Sequence, residues 1–240
     1  HKYVGDWQAL FGVNLRCHHL SWYTMAGEAK RDYPASISFQ SAWWKDYPWV
    51  EDYYARLGMV LARGEPGCDV LVINPIESLW CQVGIGWADG LQGKTPEIRE
   101  LEHAYTEIFD WLTRSHIDFD YGDEEMLGRL AKVEKDSAGQ AILRVGRAPY
   151  RVAVIPRMTT IRSTTLKLLD DFRKAGGQVV VLGTPPAYVD AVESPAAAQL
   201  ATQCRKIAWN RDALVAACQP SLRMPVEIVD AAGQSLNDVF

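Results

Sequence analysis

The sequence lacks any apolar run near the ~18 residues that a membrane-spanning helix needs. It also lacks the charge of a nucleic-acid binder. It has 25 basic residues against 30 acidic ones, a formal net charge of −5, whereas a phosphate backbone calls for clustered cationic residues. These absences predict a soluble globular chain with no membrane partner and no nucleic-acid partner.

Cysteine is scarce, and its spacing shows no paired motif. The five cysteines are odd in number and none stands in a Cys-x-x-Cys pair, so neither a disulfide framework nor a zinc site is expected. We expect no metal and interpret the residues as reduced, mostly buried thiols. They are Cys17, Cys68, Cys81, Cys204 and Cys218.

Motifs for nucleophilic catalysis and for cofactors are missing as well. There is no Gly-x-Ser-x-Gly, no Gly-x-Cys-x-Gly and no Walker A loop, and no histidine follows His116. Gly84 and Gly86 with Gly90 have the wrong spacing for a dinucleotide loop. We therefore expect no cofactor, although a flavin or another phosphate-bearing ligand on a parallel sheet stays open as an alternative.

Apolar and aromatic residues are abundant. The 240 residues are 48% hydrophobic, enough for one large or two small domains with a genuine core. Six of the nine tryptophans lie within the first 80 residues. Such an excess is typical of a core, or of a surface that stacks on sugar rings or on a partner.

Strand and helix patterns alternate over residues 67–225. Short continuous apolar runs predict buried parallel strands, and residues 96–114 and 160–175 have the period of amphipathic helices. A hairpin is predicted at 131–145. This α/β alternation predicts a doubly wound parallel sheet of flavodoxin-like type. The predicted strands are 69–74, 116–121, 151–156 and 178–183.

The two ends of the chain follow other patterns. Residues 1–66 hold one strand candidate at 12–17 and one helix at about 49–63, as expected of the C-terminal βα unit of a TIM-type (β/α)₈ barrel. Residues 226–240 predict the start of a following β-domain, with a hairpin whose second strand lies beyond residue 240. Both ends therefore indicate a piece cut from a larger protein.

Acidic side chains are the candidates for glycosidic acid/base chemistry, which needs two carboxylates flanking one bond. Spacing alone does not select a pair from Glu28, Asp32, Glu77, Asp123, Glu124 and Glu125. Three consecutive acids after a glycine favour a helix cap and a dipole interaction over catalysis. In the long segment 74–95, Glu77 and Trp80 either face a site or pack on a neighbour.

Several segments together resemble the bacterial glycoside hydrolases of family 106, the α-L-rhamnosidase type. In the first third they are 18–23 (HHLSWY), 30–36 (KRDYPAS), 39–44 (FQSAWW), 52–57 (DYYARL) and 69–78 (DVLVINPIES). Further segments resemble the domain that follows the barrel in that family. These are 119–125 (FDYGDEE), 154–163 (VIPRMTTIRS) and 175–183 (AGGQVVVLG).

The resemblance implies a fragment of a carbohydrate-active enzyme. It would be a scaffold and a partial active-site wall, with a carbohydrate substrate bound through the parent chain and its other domains. His19, Tyr23, Arg31 and Asp32 are the expected sugar contacts, or else Arg31 and Asp32 pair with each other. No catalytic residue is assigned. The alternative is a non-catalytic oligomerisation module that forms homo-oligomers.

Overall fold

A computed structural model describes residues 2–17, 19, 37, 39–64, 67–89, 92–223, 225–236 and 239. The chain divides between Glu65 and Pro66 into two compact units. None of the described helices is long and apolar enough to span a membrane.

The first unit contains two helices, α1 (Lys2–Leu10) and α2 (Tyr47–Leu61), and a short 3₁₀ turn before α2. Helix α2 agrees with the predicted helix, and Pro48 stands in its first turn, where proline is tolerated. Helix α1 had no counterpart in the sequence prediction. Tyr54 of α2 approaches α1 closely, because its hydroxyl donates to the Lys2 carbonyl at 2.7 Å.

The strand predicted at 12–17 is wrong. Gly12 has a positive φ of 85° and ends α1, with its N–H bonded to the Ala9 carbonyl at 3.1 Å. Residues 13–17 are neither helix nor strand, and Val13 and Leu15 are exposed. Their alternating apolar pattern has no pairing strand in the part of the chain that the structure describes.

The second unit contains the remaining elements in alternation. Its strands are β1 (Val70–Ile73), β2 (Ala88–Asp89), β3 (Gln92–Gly93), β4 (Phe119–Gly122), β5 (Ala131–Lys135), β6 (Ala141–Val145), β7 (Ala148–Tyr150), β8 (Val152–Ile155), β9 (Thr160–Ile161), β10 (Gln178–Leu182), β11 (Tyr188–Val189), β12 (Val192–Glu193) and β13 (Arg205–Ile207). Its helices are α3 (Ile76–Trp80), α4 (Pro96–Thr113), α5 (Glu124–Leu130), α6 (Ser163–Lys174), α7 (Ala196–Ala201) and α8 (Arg211–Cys218).

Five parallel strands form the central sheet, in the order β13-β10-β8-β1-β4. Numbered by their appearance in the chain and counted from β4, they stand in the order 2-1-3-4-5. The fold is therefore mixed α/β with a parallel sheet, as the alternation predicts. The strand order reverses between β1 and β8.

The sheet is buried on both faces. Alternate residues of β1 contribute to opposite cores: Leu71 and Ile73 pack with Phe172 on one face, and Val70 and Val72 pack with Leu112 on the other. All four residues of β1 are buried, as are all four of β8. This two-sided burial explains why the strands are apolar runs without alternation.

The helix ends of the second unit follow from their sequences. Thr95 caps α4 by accepting the Ile98 N–H at 3.3 Å, and Pro96 stands at the first turn. Gly176, with a φ of 98°, ends α6 as predicted. Helix α6 begins at Ser163 and not at Thr160, because Thr160 and Ile161 form β9 and pair with β11.

Two turns begin with an aspartate, end with a glycine three residues later and make the same hydrogen bonds. In the predicted hairpin of β5 and β6, Asp136 Oδ1 accepts the N–H groups of Ala138 and Gln140, both at 2.9 Å. Asp230 accepts the N–H groups of Ala232 and Gln234 in the same way. The second turn bridges Val229 to Ser235, so the returning arm is not beyond residue 240 as predicted.

The segment between β1 and α4 is more ordered than predicted. It contains α3 and the antiparallel pair β2–β3 where the sequence indicated a long irregular loop. None of the five cysteines, all of them among the described residues, forms a disulfide, and two of them, Cys68 and Cys218, are buried. Cys17 and Cys81 are exposed, so the expectation of mostly buried thiols is wrong for them.

Candidate functional site at the carboxyl edge of the sheet

The polar cluster of the second unit lies where β1 and β8 end. Ser78 of α3 is fully buried. Its Oγ accepts the N–H groups of Thr159 and Thr160, at 2.9 and 3.1 Å, and donates to the Thr160 carbonyl at 3.2 Å. One hydroxyl therefore satisfies two backbone donors that follow β8, at the edge where open parallel sheets hold their ligands.

At the start of α6, acidic side chains accept the backbone N–H groups in the same way. Glu124 Oε2 accepts the Arg162 N–H at 2.8 Å, and Asp190 Oδ1 accepts the Ser163 N–H at 2.9 Å. The positive end of a helix dipole with unpaired N–H groups is a ready anion site. Here two acidic side chains of the protein itself occupy it.

Glu124 is fully buried, which is unusual for a carboxyl group. Its Oε1 and the Thr165 Oγ1, also buried, find no hydrogen-bond partner of normal geometry among the described residues. Burial raises the pKa of Glu124 from 4.5 to about 7, against an opposing effect of the nearby Thr165 hydroxyl and of the Arg162 N–H. This carboxyl therefore holds a proton up to near-neutral pH.

Glu77, which lies on α3, contacts the same residue as Glu124, namely Arg162. Its carboxylate pairs with the Arg162 guanidinium, while Glu124 binds the Arg162 backbone. Two acids from α3 and α5 thus meet at one arginine at the start of α6. Both are engaged inside the protein, so neither acts as an exposed acid or base.

An open cleft lies beside this cluster. Its volume is about 630 Å³, within the range of small-molecule sites. Residues from α4, from the segment after β8 and from β11 line it. They are Cys81, Gln82, Thr95, Glu97, Glu100, Leu101, Arg157, Met158, Thr159, Thr160, Tyr188 and Ala191.

Arg157 is held firmly at one side of the cleft. Its guanidinium pairs with Glu100 and stacks over the Trp209 ring, 4.9 Å from the centroid. Trp209 is fixed in turn, because its Nε1 donates to Glu107 Oε2 at 2.9 Å. The guanidinium is therefore presented to the cleft in a defined orientation.

A smaller cavity of about 350 Å³ lies within the first unit, between α1 and α2. Arg16 lines it and stacks on the Tyr54 ring, 4.0 Å from the centroid. Nearby, Asp6 accepts the Tyr53 hydroxyl at 2.8 Å and pairs with Lys2. The contacts of Asp6 and Tyr53 join the two helices. Glu51 is the one carboxylate among the described residues that line the cavity.

The predicted sugar contacts are not brought together by the described structure. Tyr23, Arg31 and Asp32 lie outside the described residues, as does the acid candidate Glu28. His19 is described as exposed and outside helix or strand. These four contacts therefore stay predictions.

The predicted acids near β4 divide by role. Asp123 caps α5 by accepting the Met126 N–H at 3.0 Å, so the capping interpretation is confirmed for Asp123. Glu125 lies in the first turn of α5, at the positive end of the helix dipole, and pairs with Arg129. The capping interpretation does not hold for Glu124, because its side chain is buried. Trp80, for which the sequence left open a site or a packing surface, is 58% exposed and does not line the cleft.

Sequence reasoning missed Ser78, Arg157, Arg162, Tyr188 and Asp190. Two of them had an available signal, because Ser78 follows β1 and Arg157 follows β8, and ligands lie beyond strand carboxyl ends. Tyr188 lies in the short strand β11, which no pattern indicated, and Asp190 follows that strand directly.

Comparisons with protein-family models, with curated proteins and with solved structures found no match to this chain. Among the described residues, no group of three His, Cys, Asp or Glu side chains is arranged to hold a metal ion.

Proposed function

We propose that this chain is part of a carbohydrate-active glycoside hydrolase of the α-L-rhamnosidase type, in which residues 66–239 form a flavodoxin-like scaffold domain. By itself the chain would not cleave glycosidic bonds. The family resemblance of the sequence segments supports the enzyme class. The strand order 2-1-3-4-5 supports the finer fold assignment, because it is the order of flavodoxin-like sheets.

The observation that carries the scaffold role is the filled carboxyl edge of the sheet. Ser78 occupies the backbone donors of Thr159 and Thr160, and Glu124 and Asp190 occupy those at the start of α6. A flavin or phosphate ligand of a doubly wound domain uses such donors. Their internal use favours a supporting domain over a cofactor-binding one.

The first unit would then contribute to the sugar-binding wall of the parent enzyme, through His19, Tyr23, Arg31 and Asp32. The described residues 12–17 do not form the barrel strand that would precede them, so this part rests on the resemblance alone. We assign no catalytic acid or base. Glu77 and Glu124, the two acids that meet, are both bonded within the second unit.

The test compares the 240-residue chain with the product of the complete reading frame that encodes it. On p-nitrophenyl α-L-rhamnopyranoside and other aryl glycosides, we expect turnover by the complete product and none by the chain. In the complete product, Arg31→Ala and Asp32→Ala should raise KM, and the matched surface variants Arg129→Ala and Asp89→Ala should not. Turnover by the chain alone, or an inactive complete product, would contradict the proposal.

A second candidate, a non-catalytic oligomerisation module, is favoured by one surface. Trp80, Ile85 and Trp87 lie close in sequence after β1, and all three are exposed, Ile85 fully. Sedimentation equilibrium of the chain tests it. Self-association that Trp80→Ser and Ile85→Ser abolish, together with an inactive complete product, would favour this candidate over the enzyme.

A further inference from the structure

We propose that the cleft lined by Glu97, Glu100, Arg157 and Tyr188 binds a neutral saccharide. The cleft opens at the carboxyl edge of the sheet beside the point where the strand order reverses, which is where ligands of open α/β sheets bind. Its volume of about 630 Å³ would hold one or two sugar rings. The choice of L-rhamnose as the first sugar to test rests on the proposed function. The inference that the cleft binds a neutral saccharide rests on the cleft itself.

The charges of the cleft argue against an anionic ligand. Two carboxylates, of Glu97 and Glu100, stand against the one guanidinium of Arg157, which already pairs with Glu100. The backbone donors of Thr159 and Thr160 at the cleft are taken by Ser78. A phosphate or carboxylate group would therefore meet a net negative lining and no free backbone donors at these two residues.

The remaining polar groups suit hydroxyl groups. Among the described residues, the Glu97 carboxylate and the Tyr188 hydroxyl line the cleft without a hydrogen-bond or ion-pair partner. Arg157 donates to Glu100 through Nη1, which leaves its other N–H groups for a ligand. Sugar hydroxyls can donate to the carboxylate and accept from the guanidinium and from the tyrosine.

The apolar part of the lining suits a sugar ring. Tyr188 in the lining is 38% exposed, and Met158 in the lining is buried. Saccharides combine apolar C–H faces with a rim of hydroxyls, so they match a cleft with an aromatic side and fixed polar groups. Because Glu100 and Trp209 hold Arg157 in place, little side-chain ordering is needed on binding.

The experiment titrates the 240-residue chain with L-rhamnose, methyl α-L-rhamnopyranoside and cellobiose, observed by saturation-transfer NMR and calorimetry. Glucose 6-phosphate serves as the anionic probe and putrescine as the cationic one. We expect at least one neutral sugar to bind with a Kd on the order of 1 mM, and both charged probes to bind more weakly.

Variants locate the binding. Tyr188→Ala and Glu97→Gln should each weaken sugar binding at least tenfold, while Tyr3→Ala and Glu125→Gln, exposed elsewhere, should leave it unchanged. Circular dichroism checks the fold, and Glu97→Gln, on an exposed helix position, keeps the test valid if Tyr188→Ala unfolds. The inference is overturned if no neutral sugar binds at 50 mM, if a charged probe binds more tightly, or if the cleft variants bind normally. Sugar binding in the cleft with an inactive complete product would overturn the enzyme proposal alone.

Discussion

Glu124 accepts the backbone N–H of Arg162 at 2.8 Å, and the carboxyl group that makes this bond is fully buried. The pair joins the start of α5 to the start of α6 across 38 residues of sequence. A buried carboxyl group at this position has two consequences. It satisfies a backbone donor at the positive end of a helix, and it makes the stability of the sheet unit depend on pH.

The first prediction concerns that pH dependence. Burial raises the pKa of Glu124 from 4.5 to about 7, so between these values the folded state keeps a proton that the unfolded state has lost. Stability should therefore fall as pH rises from about 4.5 to 7 and stay at the lower level above 7. The full effect is about 3 kcal/mol. Urea unfolding at a series of pH values measures it.

Glu124→Gln removes this titration while it retains an oxygen that accepts the Arg162 N–H. In this variant, position 124 should contribute almost no pH dependence to the stability between pH 4.5 and 7. At pH 8 the variant should be more stable than the natural chain. Glu125→Gln is the control, because Glu125 is paired with Arg129 at the surface and its pKa is lowered by that pairing. Equal pH profiles for Glu124→Gln and the natural chain would refute the prediction.

The second prediction concerns Ser78. Its Oγ makes three hydrogen bonds to the backbone of Thr159 and Thr160 from a fully buried position. Ser78→Ala should destabilise the chain by about 3 kcal/mol, because the buried N–H of Thr160 and the partly buried N–H of Thr159 lose their acceptor, and each such loss costs roughly 1–3 kcal/mol. Ser137→Ala, at an exposed turn position, should change stability by less than about 0.5 kcal/mol. An unchanged unfolding midpoint for Ser78→Ala would contradict the assigned hydrogen bonds.

The central sheet was predictable because its strands carry their own signal. The buried runs of β1, β8 and β10 need two covered faces, and a parallel sheet with helices on both sides is what provides them. The strand predicted at 12–17 shows the limit of this logic. Val13 and Leu15 alternate with polar residues as in a half-buried strand, but a strand forms only where another strand pairs with it.

The polar cluster was not predictable from local pattern. Ser78 and Thr160 are 82 residues apart, and they meet only because β1 and β8 are neighbours in the sheet. The three acids at 123–125 look alike in sequence, and the turn of α5 directs only the middle one into the core. Side-chain direction on one helix thus separated a buried acid from two surface acids.

The third prediction concerns Asp69, which is almost fully buried just before β1. Its Oδ2 accepts the Arg223 N–H at 2.7 Å and its Oδ1 pairs with the Arg223 guanidinium. Asp69→Ala should cost roughly 2 kcal/mol, because it leaves the Arg223 N–H without its acceptor and removes the buried partner of a partly exposed guanidinium. Asp89→Ala, exposed in β2, is the matched control and should cost less than about 0.5 kcal/mol.

A double-mutant cycle tests whether that loss comes from the pair. With Arg223→Met added, the combined loss should fall short of the sum of the single losses by about 1 kcal/mol or more. Additive losses would show that Asp69 stabilises the chain through other groups, such as Arg151, which lies 3.7 Å from its Oδ1.

The fourth prediction separates steric from conformational effects at the end of α6. At Gly177, an added Cβ would lie 2.1 Å from the ring of Phe172, which is fully buried. Gly177→Ala should therefore cost about 3 kcal/mol through overpacking. At Gly176 the space is open but φ is 98°, so Gly176→Ala should cost only roughly 1–2 kcal/mol through backbone strain.

Gly84→Ala completes this series, because Gly84 has open space and no positive φ, and its cost should be near zero. A substitution at Phe172 tests the steric explanation separately. In Phe172→Leu the ring that blocks Gly177 is gone, so Gly177→Ala should cost clearly less there than in the natural chain. Urea unfolding of the natural chain, of the two single variants and of the double variant measures the difference. The same cost in both backgrounds would show that Phe172 is not what requires glycine at position 177.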